Sequence, residues 1–273
     1  MWEMEGFRAY LLEEEKSPLT VEKYLRDVGA FLSWLDGREL SKGAVLAFKS
    51  WLVERYAVAS VNSMLSSVNC YLTFLGRGEY RVKTLKTQRQ TFCSGEKELS
   101  KGEYHRLLHA SRGDSRLWLL LQTLGATGIR VSEHRFITVE ALKQGAATVR
   151  SKGKTRTVLI PKKLCKSLLD YAKKRGIQTG PIFLGRGGKP LDRSRIWAQM
   201  KKLCKTAGVS EKKVFPHNLR HLFARIFYAM ERDIVRLADI LGHSSVNTTR
   251  IYTMETGATH RKQLEKMPLL YIT

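Results

Sequence analysis

Residues 215–253 read FPHNLRHLFARIFYAMERDIVRLADILGHSSVNTTRIYT, and they combine two helical patterns with a group of polar side chains. Pro216 suits the first turn of a helix, where its missing N–H costs nothing. Apolar residues then recur at helical spacing in two runs, and Gly242 stands where a glycine would end the second helix. Ser244 or Ser245 can cap a further helix. The apolar positions are Leu219, Phe223, Ile226, Phe227, Ile234, Leu237, Ala238 and Leu241.

The polar residues of this stretch predict a pocket for an anion. His217 and Arg220 are three apart and therefore share one face of a helix, and His243 follows the glycine stop. A guanidinium matches phosphate oxygens, and imidazoles add further donors. Tyr252 is a nucleophile only where its oxyanion is stabilised, because the pKa of free tyrosine is about 10. Taken singly, each of these residues more often has a purely structural role, so the prediction rests on their combination.

The charge of the chain points to a polyanionic partner. The net charge is +23, and residues 1–90 carry 13 Lys/Arg against 11 Asp/Glu, whereas residues 91–273 carry 35 against 14. The second half is therefore the predicted polyanion-binding half. No run of about 18 apolar residues is present, and the first 16 residues are acidic. These features favour nucleic acid over an anionic membrane, so we expect no membrane association.

Cysteine usage predicts a reducing, cytoplasmic setting. Cys70, Cys93, Cys165 and Cys204 show neither a CxxC motif nor a Cys/His spacing typical of metal sites. We therefore expect no disulfide, no metal and no cofactor.

The first half predicts a helical domain over residues 1–80. One helical pattern covers residues 2–15, and three more follow candidate caps at Thr20, Ser41 and Ser60. Four short helices of this kind form a bundle with its own core. Residues 81–97 then lack periodicity and read as a linker. The linker is either solvated or follows a phosphate backbone, and Lys83, Lys86 and Arg89 are its candidate DNA-binding residues.

A second domain is predicted over residues 98–273. It opens with a capping box, in which Ser100 caps a helix and Glu103 bonds back to it. An apolar helix over residues 116–126 then leads to Arg130, whose guanidinium Glu133 can hold. Alternatively, Arg130 belongs to a structural ion pair alone.

A β-hairpin and a short edge strand are predicted within this domain. Residues 147–152 and 155–160 alternate as strands. Near the hairpin tip stand Lys152, Lys154 and Arg156, of which Lys154 and Arg156 are candidate DNA-binding residues. Residues 182–184 read as the edge strand. The predicted fold class is mainly α (α+β): a four-helix bundle plus a larger mixed helical domain with a small antiparallel sheet.

Several short motifs resemble those of the tyrosine site-specific recombinases, the family of phage integrases and Xer-type recombinases. These motifs are HNLRHLFA at residues 217–224, LGHSS at 241–245, Tyr252, TGIRVSE at 127–133 and SKGK at 151–154. The resemblance covers about residues 98–260. Two departures stand out. His134 and its neighbours are polar where leucines are usual, and the first domain is nearly neutral.

The resemblance implies a SAM-like core-binding domain at 1–80 and a catalytic domain at 98–273. Tyr252 would attack the DNA and form a 3′-phosphotyrosyl link, with Arg130 and Arg220 binding the non-bridging oxygens. His243 would donate a further hydrogen bond, and His217 would accept the tyrosine proton. Lys152 would protonate the leaving oxygen, with Lys154 as its rival.

The expected partners are double-stranded DNA recombination sites and three further copies of the chain. In this family a homo-tetramer assembles on DNA, and the C-terminal segment packs on a neighbouring protomer. Residues 268–272, with Leu269, Leu270, Tyr271 and Ile272, supply such an apolar tail here. Two other interpretations remain open from the sequence, namely a monomeric type IB topoisomerase and a DNA-binding module without enzymatic activity.

Overall fold

The computed structural model describes residues 4–86, 98–151, 153–185, 187–243, 245–252 and Glu265, with Ser151 and Lys154 described by their backbone alone. The chain divides into two compact units, Met1–Arg89 and Gln90–Thr273. Each unit has hydrophobic clusters of its own.

The first unit contains the four helices that the sequence predicts. The third begins as expected, since Ser41 accepts a hydrogen bond from its first turn. The second begins at Pro18, ahead of the predicted cap at Thr20, because Ser17 accepts the hydrogen bond from its first turn. The fourth begins earlier than predicted, because the carbonyl of Ala57 rather than the Ser60 side chain receives its first N–H groups. The helices are α1 (Met4–Glu13), α2 (Pro18–Leu35), α3 (Lys42–Arg55) and α4 (Val58–Phe74).

The start of the predicted linker packs against the first unit. Val82 is buried in the core between α3 and α4. The side chain of Asn69 donates to the Val82 carbonyl at 2.8 Å and accepts from its N–H at 2.9 Å. Asn62, two turns earlier on α4, bonds both backbone groups of Leu85 in the same way. The unit therefore extends past residue 80, while residues 87–97 of the predicted linker lie outside the described residues.

The second unit is mainly helical with one small sheet. Its first helix carries the predicted capping box between Ser100 and Glu103. Within the described residues the sheet has two strands, so the mainly α fold class with a small antiparallel sheet is confirmed. The helices are α5 (Lys101–Ala110), α6 (Ser115–Thr127), α7 (Val139–Gln144), α8 (Lys162–Lys174), α9 (Arg193–Ala207), α10 (Pro216–Glu231), α11 (Ile234–Leu241) and α12 (Val246–Thr249); the strands are β1 (Ala146–Ser151) and β2 (Lys154–Leu159).

The two strands form the predicted hairpin. They pair antiparallel from Ala146↔Leu159 to Ser151↔Lys154, so a two-residue turn joins them. The edge strand predicted at 182–184 does not form. Leu184 makes only an isolated bridge to Pro190, and a second bridge joins Thr138 to Pro181. Proline lacks the N–H that a continuing ladder needs, so neither bridge extends.

Packing around α6 and α10 positions the polar residues of the key stretch. α10 lies against α6, and Leu219 and Leu222 on α10 are buried in the main core. Arg225 on α10 pairs with Glu98 at 2.5 Å, which ties the helix to the start of the unit. A smaller apolar cluster joins α10 to α11 and includes Tyr252.

No described helix is long and apolar enough to cross a membrane. The described cysteines Cys70, Cys165 and Cys204 are free thiols.

His134 is a buried polar residue of the core with no polar partner among the described residues. It is 3 % exposed, and neither ring nitrogen has a hydrogen-bond partner among the described residues. Its ring stacks on Phe183 at 6.2 Å. Burial lowers the pKa of His134 to about 4, with Arg135 acting in the same direction.

We expect His134→Leu to raise the melting temperature by about 2–4 °C, because it removes two unpaired buried nitrogens and keeps an apolar side chain. The gain should grow as the pH falls from 6.5 towards 4. In that window the unfolded state binds a proton at residue 134 that the folded state does not, so the wild type loses stability. Calorimetry at several pH values measures both effects. His105→Leu, at an exposed position, is the control. Equal shifts for the two variants would contradict the assignment.

Candidate active site

Arg220 is the buried centre of the site. It lies on α10 and is only 1 % exposed. Its Nη1 donates to the Gly128 carbonyl at 2.7 Å, and its Nη2 donates to the Leu241 carbonyl at 2.7 Å. These carbonyls lie at the C-terminal ends of α6 and α11, where helix dipoles concentrate negative potential. Both ends therefore stabilise a guanidinium that burial would otherwise destabilise.

The histidine after the glycine stop is bonded to this arginine. Gly242 ends α11 with a φ of 66°, and the N–H of His243 returns to the Ala238 carbonyl. His243 Nε2 lies 3.0 Å from Arg220 Nη2, and its Nδ1 lies 2.8 Å from Thr249 Oγ1. Burial, and after it the nearby arginines, lower the pKa of His243 to about 4. The ring is therefore neutral at pH 7.

Tyr252 completes this group from the other side. It is 3 % exposed and lies in a 3-10 turn directly after α12, which Ser245 caps. Its ring stacks on His243 at 5.8 Å and meets His221 edge-to-face at 4.5 Å. Burial lowers the pKa of Arg220, as does Arg130, whereas a hydrogen bond with Tyr252 opposes that shift. The phenol is thus in contact with a buried cation.

A buried carboxylate holds two further arginines. Glu133 is 1 % exposed, and its Oε1 accepts from Arg130 Nη1 at 3.0 Å. Its Oε2 accepts from the Arg130 backbone N–H at 2.8 Å and from Arg156 Nη2 at 2.6 Å. The predicted pairing of Arg130 with Glu133 is therefore present. Arg130 nevertheless keeps 41 % of its side chain exposed, so it remains available to a ligand.

The hairpin arginine reaches Glu133 and the end of α11. Arg156 was predicted to lie near the hairpin tip facing DNA, but its guanidinium is directed inward to Glu133. The side chain also crosses Gly242, where an added Cβ would overlap its Cδ atom. Residue 242 therefore needs glycine both for its positive φ and for this contact. Arg156 joins strand β2 to the turn that carries His243.

An open cavity of about 460 Å³ lies beside these residues. His217 lines it, and burial lowers the pKa of His217, with Arg220, Arg130 and Arg193 acting in the same direction. The His217 ring also meets His221 edge-on at 4.8 Å. The other side chains that matter to its chemistry are Arg130, Ser132, Arg193, Trp197 and Arg220. A cavity lined by guanidinium groups and neutral imidazole suits an anion.

The structure brings most of the predicted catalytic residues together. These are Arg130, His217, Arg220, His243 and Tyr252. Lys152 lies outside the described residues, as does Arg89. Lys83 and Lys86 are exposed in the first unit, and only the backbone of Lys154 is described.

Two neighbours of the predicted catalytic residues have no role predicted from the sequence. His221 follows His217 by four residues, so helical spacing alone could have predicted that the two rings share one face of α10. Thr249 carried no comparable signal, because its contact with His243 depends on the chain turning back after α11. Within the described part of the chain, no group of three or more His, Cys, Asp or Glu side chains is arranged to hold a metal ion.

The arrangement is that of a protein whose cavity suits a phosphate-like anion next to a buried phenol. Comparisons with known proteins identify its class. Residues 97–258 match the family described as "Phage integrase family", and residues 4–79 match "Phage integrase, N-terminal SAM-like domain". Both expected domain types are thereby confirmed.

Similar proteins span nearly the whole chain. The tyrosine recombinase XerA of Pyrococcus furiosus is 30% identical, covering 98% of this chain and 94% of the relative. The tyrosine recombinase XerA of Thermococcus kodakarensis is 33% identical, covering 98% of this chain and 95% of the relative. A crystal structure of XerA recombinase matches with a TM-score of 0.55 at 28% identity, over 98% of each chain. The pre-cleavage complex of XerH with its difH substrate shares the fold, with a TM-score of 0.72 at 18% identity over 91% of this chain and 79% of that one.

The chain belongs to the phage integrase family. It is a tyrosine recombinase, an enzyme that recombines DNA at specific sites by cutting and rejoining strands.

The ion pair of Arg156 with Glu133 gives a direct test of the site's construction. We expect Arg156→Met to lower the free energy of unfolding by about 1–3 kcal/mol, because the buried carboxylate loses one partner. Denaturant titration measures the change. Arg150→Met is the matched control, since Arg150 is an exposed arginine of strand β1 in the same hairpin. Equal losses for the two variants would show that the Glu133 pair contributes nothing to stability.

Proposed function

We propose that Tyr252 is the nucleophile of strand cleavage and that the residues around it have separate roles. The observation that carries this proposal is the contact of the buried Tyr252 with Arg220 and His243, beside a cavity lined by Arg130 and His217. The phenol oxygen attacks the scissile phosphorus, so a tyrosyl O–P bond forms and the P–O5′ bond breaks. The product is a 3′-phosphotyrosyl link and a free 5′-hydroxyl.

Arg130 and Arg220 bind the non-bridging oxygens in this proposal. Arg220 uses three N–H groups for Gly128, Leu241 and His243, and a guanidinium has five. Donors therefore remain for Tyr252 and a phosphate oxygen. Arg130 is held by Glu133 at a half-exposed position, so it presents its guanidinium to the cavity. Fixed donors of this kind stabilise charge that develops in the transition state.

Two proton transfers accompany the attack. His217 accepts the phenolic proton, a role supported by its neutral ring on the cavity wall. Lys152 donates a proton to the leaving 5′-oxygen, and Lys154 is the rival at the same hairpin. The phosphotyrosyl bond conserves the energy of the phosphodiester, so the reverse reaction rejoins the strands without ATP. Neither a metal nor a cofactor takes part in these steps.

The substrate for the tests is selected by the enzyme itself. Wild-type protein is incubated with a pool of randomised duplexes that carry a nick. After cleavage next to the nick, a short strand diffuses away and the covalent adduct is trapped. The most frequent attached sequence then serves as the defined nicked duplex. A wild-type chain that attaches no DNA from the pool would overturn the proposed chemistry.

We expect Lys152→Ala to lose adduct formation on the defined duplex but to recover it when sulfur replaces the 5′-bridging oxygen. A thiolate leaves with little need for protonation, because thiol pKa values lie near 8.5. Lys154→Ala should cleave both substrates at nearly the wild-type rate. Gel analysis of single-turnover adducts measures all four rates.

Tyr252→Phe is the control for this experiment, since it should form no adduct with either substrate while still binding DNA. Sulfur rescue of Lys154→Ala instead of Lys152→Ala would move the role of general acid to Lys154.

We further infer that the chain acts as a homo-tetramer on two DNA recombination sites, in the cytoplasm, with its C-terminal tail docked on a neighbouring protomer. The support for trans docking is the apolar run at residues 268–272 after a basic segment. Burying such side chains contributes roughly 1.5–3 kcal/mol each before ordering costs. That is enough to favour assembly once DNA has brought the protomers together.

Truncation after Met267 should leave binding to a single site nearly unchanged and weaken the pairing of two sites. Gel-shift assays of the single-site and paired-site complexes measure the two effects. The melting temperature of the free protein provides the control. A lower melting temperature with normal pairing would mean that the tail packs on its own protomer.

A further inference from the structure

His243 carries its proton on the nitrogen that points away from Arg220. A guanidinium can only donate hydrogen bonds, so Nε2 must accept from Arg220 Nη2 across their 3.0 Å contact. The neutral ring then has its proton on Nδ1, which donates to Thr249 Oγ1 at 2.8 Å. Thr249 is 0 % exposed, so this hydroxyl has no bulk water with which to exchange partners.

This arrangement conflicts with the role of His243 in the proposed reaction. A histidine that donates to a phosphate oxygen from Nε2 needs a proton on that atom. One route is a second protonation, which gives an imidazolium. The other route is a change of tautomer, which leaves the ring neutral.

The surroundings of His243 disfavour the imidazolium. The pKa of the ring lies at about 4, well below neutral pH. One carboxylate, that of Glu133, is shared between Arg130 and Arg156, so the net charge around His243 stays positive. The charged and titratable groups around His243 are Arg220 and His217 on α10, Arg130 after α6, Arg156 on β2, and Tyr252 after α12.

We propose that Thr249 is a positioning residue that sets the tautomer of His243. Its hydroxyl accepts from Nδ1–H while Arg220 bonds Nε2, and it donates to Nδ1 when Nε2–H donates to the scissile phosphate. The His243 ring is only half-buried, so it loses the Nδ1 proton and gains one at Nε2 by exchange with water at its own exposed part, and its charge does not change. The inference rests on the proposed role of His243 as a donor to phosphate.

A rotating hydroxyl is the group that this exchange requires. Threonine and serine both donate and accept through one oxygen, whereas valine has the shape of threonine but does neither. With valine at position 249, a buried ring nitrogen would lack a partner in both tautomers. A buried nitrogen without a partner raises the free energy of the site, and we expect this to slow the cleavage step, in which His243 acts.

The test compares Thr249→Val with Thr249→Ser on the defined nicked duplex. We expect valine to slow single-turnover adduct formation about tenfold and serine to stay within about twofold of wild type. The same pair is then made in a His243→Ala background. There, valine should cause no further loss, because Thr249 acts through His243.

A merely structural threonine would give a different pattern. Valine would then slow cleavage by the same factor with or without His243, and that result would overturn the proposal. Wild-type rates for Thr249→Val would also overturn it. Melting temperatures of all variants separate an effect on folding from one on cleavage. Failure of the wild type to form any adduct would instead overturn the proposed function.

The tautomer itself can be observed with ¹⁵N-labelled histidine. Nitrogen–carbon-proton correlation spectra show which ring nitrogen carries the proton, and His243→Ala identifies the signal. We expect Nδ1–H in the protein alone and Nε2–H in Tyr252→Phe protein bound to the defined duplex. An unchanged Nδ1–H tautomer, or an imidazolium, in the bound protein would contradict the proposal.

Discussion

The burial of the Arg220 charge is the constraint on which the rest of the site depends. A buried guanidinium needs compensation, and the carbonyl ends of α6 and α11 supply it. The two helices must therefore end at the same point in space. Arg130 follows one of these ends by two residues, and His243 follows the other by two. The two hydrogen bonds of Arg220 thus set the positions of three predicted catalytic side chains.

A second set of charges connects the hairpin to this centre. Glu133 neutralises part of the charge of Arg130 and Arg156, and Arg156 lies across Gly242 beside His243. The strand that leads from the predicted general acid is therefore joined to the turn that carries His243, a predicted phosphate donor. Because Arg130 and Arg156 share the Glu133 carboxylate, a movement of the hairpin also changes the ion pair of Arg130. Shared partners of this kind make the site a coupled unit.

The positive potential of the site has one consequence for its histidines. Burial and the surrounding arginines lower the pKa values of His217, His221 and His243, so all three rings are neutral at pH 7. A neutral imidazole can accept a proton or donate a hydrogen bond, depending on its tautomer. The arginines that suit a phosphate therefore also keep the histidines neutral, and each neutral ring can still act either as a proton acceptor or as a hydrogen-bond donor.

The sequence by itself determined the class of protein and most of the helices, and it singled out the residues predicted to be catalytic. Those features are encoded locally, in apolar spacing, in caps such as Ser100, and in short motifs around Arg130, Arg220 and Tyr252. Only the tertiary structure decided which partners these residues have. Gly128 and Arg220 are 92 residues apart, and Glu133 and Arg156 are 23 apart. The spacing of residues along the chain cannot predict such pairs, because they form only when helix ends and a strand come together in the fold. The inward direction of Arg156 and the contact of Thr249 with His243 therefore came from packing.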